Sequence, residues 1–474
     1  MSIKKNFIYN SLYQILMLIL PLITTPYISR IIGAEGIGRY SYTYSIANYF
    51  VLIAMLGINN YGNRSIARDR DNKEKLNKTF SSILVFHIII SVIMILAYIL
   101  YIIYCVNDEK IMFIIQFVFV FSALFDINWF FFGMEEFKLT VTRNAIIKIM
   151  SAISIFAFVK TKEDLWLYSL ILAIGALISQ VALWPFVKNF VCFKKPTINE
   201  ILCHVKPCSV LFIPVISVSI YKIMNKIMLG SMSDMIQVGF YENADKIICI
   251  PLGFIAALGT VMLPKMSNIK VKGLKKESEQ YLEVSMKFAM FIAIGSIFGL
   301  IGVSPILIPL FLGNEFLESI KIVSLLSVTI LFIGWANVLR TQYVIPNRLD
   351  SIHATSTLIG AIVNIFVNIP LIFKYGAVGA TIGTILSEFS VAMYVTIKIR
   401  RNIPIVKYVK NSIPFLFSGM FMFIFIKAIQ CFVKTDSIII LIIQVIAGGS
   451  VYLLINYLYI LKIESKRNLS HKFS

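Results

Sequence analysis

The sequence predicts an all-α integral membrane protein of about 14 transmembrane helices, built as two parallel-repeat six-helix lobes plus a C-terminal helix pair. Three observations carry this. The 474 residues are 58% hydrophobic and only 14% charged, with a mean hydropathy of +0.83; a soluble domain is roughly half apolar and a quarter charged. Apolar runs of the length that crosses a bilayer, about 20 residues, recur along the whole chain. Several short fragments also recur at a common offset of roughly 200 residues, the mark of an internal repeat.

The apolar runs fall at 7–29, 40–62, 80–105, 111–133, 142–159, 165–187, 207–229, 239–263, 284–312, 319–344, 352–373, 376–397, 409–433 and 437–461. The remaining residues form two tails and thirteen connections, none long enough for a folded extramembrane domain. The chemistry therefore lies within or across the membrane. The first run follows Lys4 and Lys5, carries Asn10 and Gln14, and lacks a small-residue cleavage site. It reads as a retained helix, not a cleaved signal.

Lys and Arg of short loops stay on the cytoplasmic side. With the N-terminus inside, the inside segments hold 31 basic residues and the outside segments 8. Both tails are thus expected in the cytoplasm. The formal net charge of +20 is then a matter of topology and of contact with anionic headgroups, not of nucleic acid. No nucleic-acid partner is expected.

The repeat rests on agreement among offsets. Pro21 and the string Arg30-Ile31-Ile32-Gly33 match Pro214 and Lys226-Ile227-Met228-Leu229-Gly230, and Gly38-Arg39-Tyr40 matches Gly239-Phe240-Tyr241. Asn128 matches Asn337, and Tyr168 with Leu177-Ile178-Ser179-Gln180 matches Tyr375 with Ile385-Leu386-Ser387-Glu388. Six helices per copy keep both copies in one orientation, as in transporters of two parallel halves whose substrate lies between them. The expected organisation is an N-lobe over 1–190, a cytoplasmic linker over 191–206, a C-lobe over 207–400, and a helix pair with tail over 401–474.

Five basic residues remain inside the spans: Lys148, Lys222, Lys226, Lys246 and Lys427. A charge at the bilayer centre costs about 2.5–3.5 kcal/mol on insertion scales, so these face a cavity or a partner. Lys222 and Lys226 lie four residues apart on one helix face, with Ser219 and Asn225 extending the stripe. Two stacked ammonium groups call for an anion such as a pyrophosphate. The alternative is internal neutralisation: Glu242 can pair with Lys246, which leaves Asp245 for a lysine of the preceding helix. Lys148 can line a cavity or snorkel to the cytoplasmic end. Uncharged polar stripes run along helix 1 (Asn10, Gln14, Pro21, Thr24, Thr25), helix 2 (Ser41, Ser45, Asn48, Asn59) and helix 11 (Asn364, Asn368). Interhelical hydrogen bonding or a wet interior explains them. The substrate-binding candidates are Lys222, Lys226, Asn225, Lys148, Asn10, Gln14 and Asn48. The carboxylates at depth, Glu388, Asp245 and Asp126, are coupling-ion candidates, with Glu388 first because its own helix offers no basic partner.

No phosphate-binding G-x-x-x-x-G-K-[ST] loop is present. Cys203, His204 and Cys208 fit no common zinc spacing, the other cysteines read as small apolar fillers, and His87 and His353 as packed residues. Neither an enzyme nor a cofactor or metal is expected.

Longer strings carry a resemblance. NSLYQILMLILPLITTPYISRIIGAEGIGRYSYTYSIANYF (10–50), LGINNYGNRSIARDRD (56–71) and DINWFFFGMEEFKLTVTRNAIIKI (126–149) resemble bacterial polysaccharide repeat-unit flippases of the Wzx type. GFYENADKI (239–247), LGTVMLPKMSN (258–268), ANVLRTQYVIPNRLD (336–350) and GAVGATIGTILSE (376–388) are similar to later segments of that family. The resemblance implies the two-lobed fold of the multidrug/oligosaccharidyl-lipid/polysaccharide exporter superfamily and a bacterial cytoplasmic-membrane location. It implies a substrate, an oligosaccharide on undecaprenyl pyrophosphate, turned from the inner to the outer leaflet by alternating access. It further implies membrane lipids, H+ or Na+ and the polysaccharide polymerase machinery as partners. The interior of helix 1 offers Asn10, Gln14 and Thr24 where the peptidoglycan-precursor branch carries arginines, which points to the polysaccharide branch. A drug/cation antiporter of the same superfamily would favour acidic cavity residues. A glycan polymerase would need a long outside loop.

Overall fold

The computed structural model describes the backbone of residues 3–432 and 437–472, and side chains over 19–461 apart from those of 221, 433–436 and 460. Among these residues there is no strand. Nearly continuous apolar sequence leaves the backbone no water to bond, and the α-helix satisfies every internal N–H and C=O within one segment. Contacts divide the chain into two compact units, Met1–Gly239 and Phe240–Ser474.

The first unit holds α1 (Ile3–Met55), α2 (Ile58–Asp69), α3 (Lys73–Tyr104), α4 (Lys110–Ser122), α5 (Asn128–Gly133) and α6 (Phe137–Phe158). It continues with α7 (Leu165–Val181), α8 (Trp184–Val187), α9 (Ile198–Leu202), α10 (Val205–Met232) and the start of α11 (Met235–Val271). The second unit holds the rest of α11, then α12 (Lys275–Phe311), α13 (Ser319–Leu326), α14 (Thr329–Leu339), α15 (Asp350–Ile399), α16 (Ile405–Phe432) and α17 (Ile438–Lys472). Among the described residues, twelve helices are long and apolar enough to cross a membrane. The chain is a multi-pass membrane protein.

Two of those helices are far too long for one crossing. At 1.5 Å per residue, the 53 residues of α1 would run about 80 Å, against a hydrocarbon core of about 30 Å. Each contains a break. Gly33 in α1 has φ 75° and ψ 179°, and Gly376 in α15 has φ 54° and ψ −130°. A side chain at such positive φ is strongly disfavoured. Gly33 falls between runs 7–29 and 40–62, and Gly376 opens run 376–397 just after 352–373, so each long helix can be read as a pair. Hydropathy counted the two sides of each break as separate spans and so gave fourteen, where twelve candidate helices are found among the described residues.

Other boundaries differ from the hydropathy reading for local reasons. The second run ends early, because Leu56 (φ 34°) and Gly57 (φ 74°) turn the chain into α2. Asn59 is therefore an exposed residue of α2 and is not part of the polar stripe of Ser41, Ser45 and Asn48. A Cβ at Gly57 would lie 2.7 Å from the Cys208 carbonyl oxygen, so this turn sits directly on the α10 backbone. The segment 191–206, expected as a linker, contains α9, started by a capping box in which Thr197 and Glu200 exchange side-chain-to-backbone bonds, and the first residues of α10.

Packing in the first unit centres on aromatic and β-branched residues of α2, α3 and α5: Ile58, Ile66, Phe80, Ile83, Trp129 and Phe130 are all at most 2% exposed. Gly62 lets Trp129 approach, since a Cβ there would lie 2.7 Å from the indole. Farther along α3, Ile93, Leu96, Leu100 and Ile103 are each more than half exposed at steps of three and four. That spacing makes one apolar face, the signature of a lipid contact. Residues 34–38 of α1 and 235–239 of α11 pack backbone to backbone. A Cβ on Gly38 would overlap the Met235 carbonyl, and one on Gly239 would overlap the Ala34 carbonyl. This is a small-residue helix crossing of the kind membranes favour, where dispersion rather than hydrophobic burial holds helices together.

In the second unit, Val303, Met422, Ile426 and Tyr452 tie α12, α16 and α17 together, and the Tyr452 hydroxyl donates to the Phe291 carbonyl at 2.9 Å. Asn364 and Asn368 are fully buried, with Asn368 Nδ2 donating to Asn364 Oδ1 at 3.1 Å. Their stripe packs inside the unit.

Candidate functional site

Inside the first unit a chamber of about 500 Å³ is walled by α1, α4, α6 and α7. Its polar lining follows from helical spacing. On α6, Asn144, Lys148, Ser151 and Ile155 recur at steps of four, three and four, so they share one face and all line the chamber. On α7, Tyr168, Leu172, Gly175 and Ser179 do the same, with Gln180 next to the last. Gly175 allows the two faces to close together, because a Cβ there would sit 2.7 Å from the Ser151 hydroxyl. Thr24, Tyr40 and Tyr44 come from α1, and Gln116 and Phe119 from α4.

One side of the chamber is a fixed hydrogen-bond network. Asp126 Oδ1 accepts from the Asn128 backbone N–H at 2.9 Å and from Asn128 Nδ2 at 2.7 Å. Asn128 Nδ2 also donates to Gln180 Oε1 at 2.9 Å, while its Oδ1 accepts from Arg143 Nη2 at 2.9 Å. The same guanidinium donates to Asn144 Oδ1 through Nη2 at 2.6 Å and Nε at 3.2 Å, and the Ser179 hydroxyl donates to that oxygen at 2.9 Å. Arg143 is 9% exposed. A buried cation and a half-buried carboxylate joined through amides orient every member of the set. Across the chamber runs an aromatic chain. The Tyr40 ring lies edge-on to Tyr168 at 4.9 Å and stacks on Tyr44 at 5.7 Å, and Tyr44 meets Phe119 at 4.9 Å.

Among the described residues, Lys148 is the one charged side chain on the chamber wall, and no carboxylate lines it. Asp126 and Arg143 stand behind the lining. The wall therefore offers amide and hydroxyl groups, aromatic edges and a single ammonium. Its volume lies in the roughly 300–1,000 Å³ range of small-molecule sites, which combine an apolar lining with a few placed polar groups.

The structure brings Lys148 and the Asp126 network to this chamber and places the other described site candidates elsewhere. Lys222 is exposed and Lys226 half-buried on α10, and neither lines the chamber. Asn225 is fully buried, and the Tyr49 hydroxyl of α1 donates to the Ser219 carbonyl of α10 at 3.1 Å. Asn48 is half-buried and outside the lining. Asn10 and Gln14 lie outside the described side chains. Glu242 pairs with Lys246 at 3.3 Å, the spacing expected from sequence, and Asp245 beside it is half-buried. Glu388 is 6% exposed on α15. Lys427 donates to Gln430 at 2.9 Å. His204 is held by the Tyr61 hydroxyl at 2.8 Å and the Ser82 hydroxyl at 2.8 Å, a packing role, with Cys203 Sγ 3.8 Å from its Nδ1. Sequence reasoning did not single out Tyr40, Tyr44, Asn144, Ser151 or Gln116 as lining residues. The steps of Asn144, Lys148 and Ser151 on one span were the available signal.

Residues 3–270 match the family model described as polysaccharide biosynthesis protein. The chain belongs to that family. Among curated relatives, a Shigella dysenteriae protein provisionally named an O-antigen transporter is 25% identical over 398 residues, covering 82% of this chain and 98% of the relative. An Escherichia coli K12 protein of the same provisional name is 23% identical, covering 85% and 98%. A Haloferax volcanii protein, provisionally named the low-salt glycan biosynthesis flippase Agl15, is 25% identical over half of each chain. Among solved structures, the lipid II flippase MurJ in an inward closed conformation superposes with a TM-score of 0.79 at 17% identity, covering 98% of this chain and 100% of MurJ. An inward-facing multidrug resistance MATE transporter of the MOP superfamily superposes with a TM-score of 0.61 at 16% identity, covering 83% and 95%. This family member thus has the helical fold of those transporters.

Proposed function

We propose that the protein is a transporter, not an enzyme, and turns an oligosaccharide repeat unit carried on undecaprenyl pyrophosphate from the inner to the outer leaflet of the bacterial cytoplasmic membrane. Capsule, O-antigen or exopolysaccharide synthesis would receive the product. The family and the names of the relatives support this reading. The observation that carries it is the chamber in the first unit, whose amides, hydroxyls and tyrosine edges suit sugar rings and whose one ammonium suits an anion. A drug or cation exporter would place a carboxylate on such a wall, and among the described residues none is there.

In this proposal the lobes 1–190 and 207–400, joined by 191–206, alternate in exposing the substrate path. The pair over 401–474 is appended, and both termini are cytoplasmic. Lys222 and Lys226 neutralise the diphosphate as it enters from the cytoplasm, with Asn225 beside them. Lys148, Asn48, Asn10 and Gln14 are further substrate contacts. Glu388, with Asp245 and Asp126 as alternatives, takes up H+ or Na+ to give the cycle direction, and the polymerase machinery receives the product.

The test is a reconstituted flip. Proteoliposomes loaded with a fluorescent oligosaccharide on undecaprenyl pyrophosphate should show protein-dependent exposure of the label to a membrane-impermeant quencher. A rate equal to protein-free vesicles would end the proposal. Because Lys222 is exposed and Lys226 only half-buried, their charges are partly screened, and Lys222→Gln with Lys226→Gln should slow the flip about five-fold. A correctly inserted double variant with the unaltered rate would remove both lysines from head-group binding.

A further inference from the structure

A second concavity of about 570 Å³ lies in the first unit, between α2 and the start of α10. Tyr61, Arg64, Ser65 and Arg68 form one wall, and Lys206, Pro207, Val210 and Leu211 the other. Steps of three and four place each set on a single helix face. The two helices are fixed against each other by the Gly57 turn, whose missing Cβ admits the Cys208 carbonyl and the Phe212 amide. Tyr61 is held in turn by His204, which Ser82 anchors.

The charges here are unevenly compensated. Arg68 is bonded through two nitrogens to Asp69, at 2.9 and 3.1 Å, and Asp69 also accepts from Thr79. Among the described residues, Arg64 and Lys206 have no carboxylate within ion-pair distance. The groove thus combines two uncompensated cations, Arg64 and Lys206, with the apolar Val210 and Leu211, one turn along α10 from Lys206. Val210 is 58% exposed, and Ile213, 53% exposed one turn farther along α10, continues the apolar strip into the span. A soluble anion would use the cations and leave the apolar wall without purpose. An amphiphile with an anionic head uses both, since basic pockets at the ends of membrane helices hold such heads by charge-assisted bonds.

We propose that this groove seats the phosphate headgroup of a membrane lipid, with the first carbons of its chain against Val210 and Leu211. The site is separate from the chamber and does not depend on transport. Two lipids share the chemistry, an anionic phospholipid and a polyprenyl pyrophosphate, and the test separates them.

The full-length protein in detergent is titrated with dioleoylphosphatidylglycerol, undecaprenyl pyrophosphate or dioleoylphosphatidylcholine, and lipid-bound protein is counted by native mass spectrometry. Arg64→Gln with Lys206→Gln should lower the bound fraction of an anionic lipid at least about five-fold. Arg64→Lys with Lys206→Arg should restore it. Lys188→Gln with Lys195→Gln, which removes as much charge elsewhere, should leave it unchanged. Loss confined to phosphatidylglycerol assigns the groove to bulk phospholipid, and loss confined to undecaprenyl pyrophosphate assigns it to the polyprenyl carrier. Equal binding of phosphatidylcholine, or full retention of both anionic lipids by the glutamine variant, overturns the proposal. A photocrosslinking residue in place of Val210 in the otherwise unaltered chain should capture an anionic lipid in preference to phosphatidylcholine, and equal capture also overturns it. Because every readout is binding, failure here leaves the flip assay untouched, and failure of the flip leaves this result standing.

Discussion

Lys148→Gln is expected to slow lipid-linked oligosaccharide translocation at least about ten-fold at unchanged protein insertion, a loss of about 1.4 kcal/mol in the rate-limiting barrier. The reason is positional. Lys148 is the one charge that the described residues bring to the chamber wall, one turn from Asn144 and three residues from Ser151 on the same face of α6. Glutamine keeps the length and hydrogen-bonding capacity and removes the charge. Lys148→Arg should recover most of the rate. The measurement is the initial rate of quencher accessibility in proteoliposomes, normalised to reconstituted protein. A Lys148→Gln variant with the parental rate would reduce this residue to a side chain reaching for the headgroup region, and the described chamber wall would be left with no ionic contact.

Gly38→Ala is expected to cost at least about 2–3 kcal/mol of stability, seen as a lowered thermal midpoint in detergent or as failure to accumulate in the membrane. Even one methyl group would overlap the Met235 carbonyl, and the obstacle is backbone, which cannot rotate aside. Gly449→Ala on α17 is the matched control, because nothing lies within 4 Å of a Cβ there. It should change the midpoint little or raise it slightly through helix propensity. Equal midpoints for the two variants would show that α1 and α11 do not approach as closely as described.

Hydropathy recovered the class of fold and most spans because each helix must be apolar over a bilayer's thickness, and that requirement is written locally. It failed where tertiary contact decides. The turn at Leu56 and Gly57 sits inside an apolar run, so Asn59 was attached to the wrong helix. Run 111–133 is matched by one candidate span, Lys110–Gly133, but hydropathy gives no sign of the 3-10 turn inside it at Ala123–Phe125, where Asp126 bonds the start of α5 and Trp129 Nε1 donates to the Asp126 carbonyl at 3.2 Å. The lysine pair on α10 was legible from its spacing, but its surroundings were not. Conversely, Lys148 looked like a residue near a helix end, and only the meeting of α6 with α7 and the tyrosines of α1 made it part of a wall. Tyr40 and Tyr168 are 128 positions apart, and their 4.9 Å approach has no trace in either local sequence.

The positive-φ breaks in α1 and α15 have a genetic consequence. In a saturation mutagenesis screen scored for polysaccharide at the cell surface, Gly33 and Gly376 should tolerate almost no replacement. The lipid-facing Leu96, Leu100 and Ile103 should accept nearly any apolar residue. The contrast would arise from backbone geometry alone, with no ligand involved, so a map of intolerant positions in this chain would mark its bends as strongly as its binding surfaces.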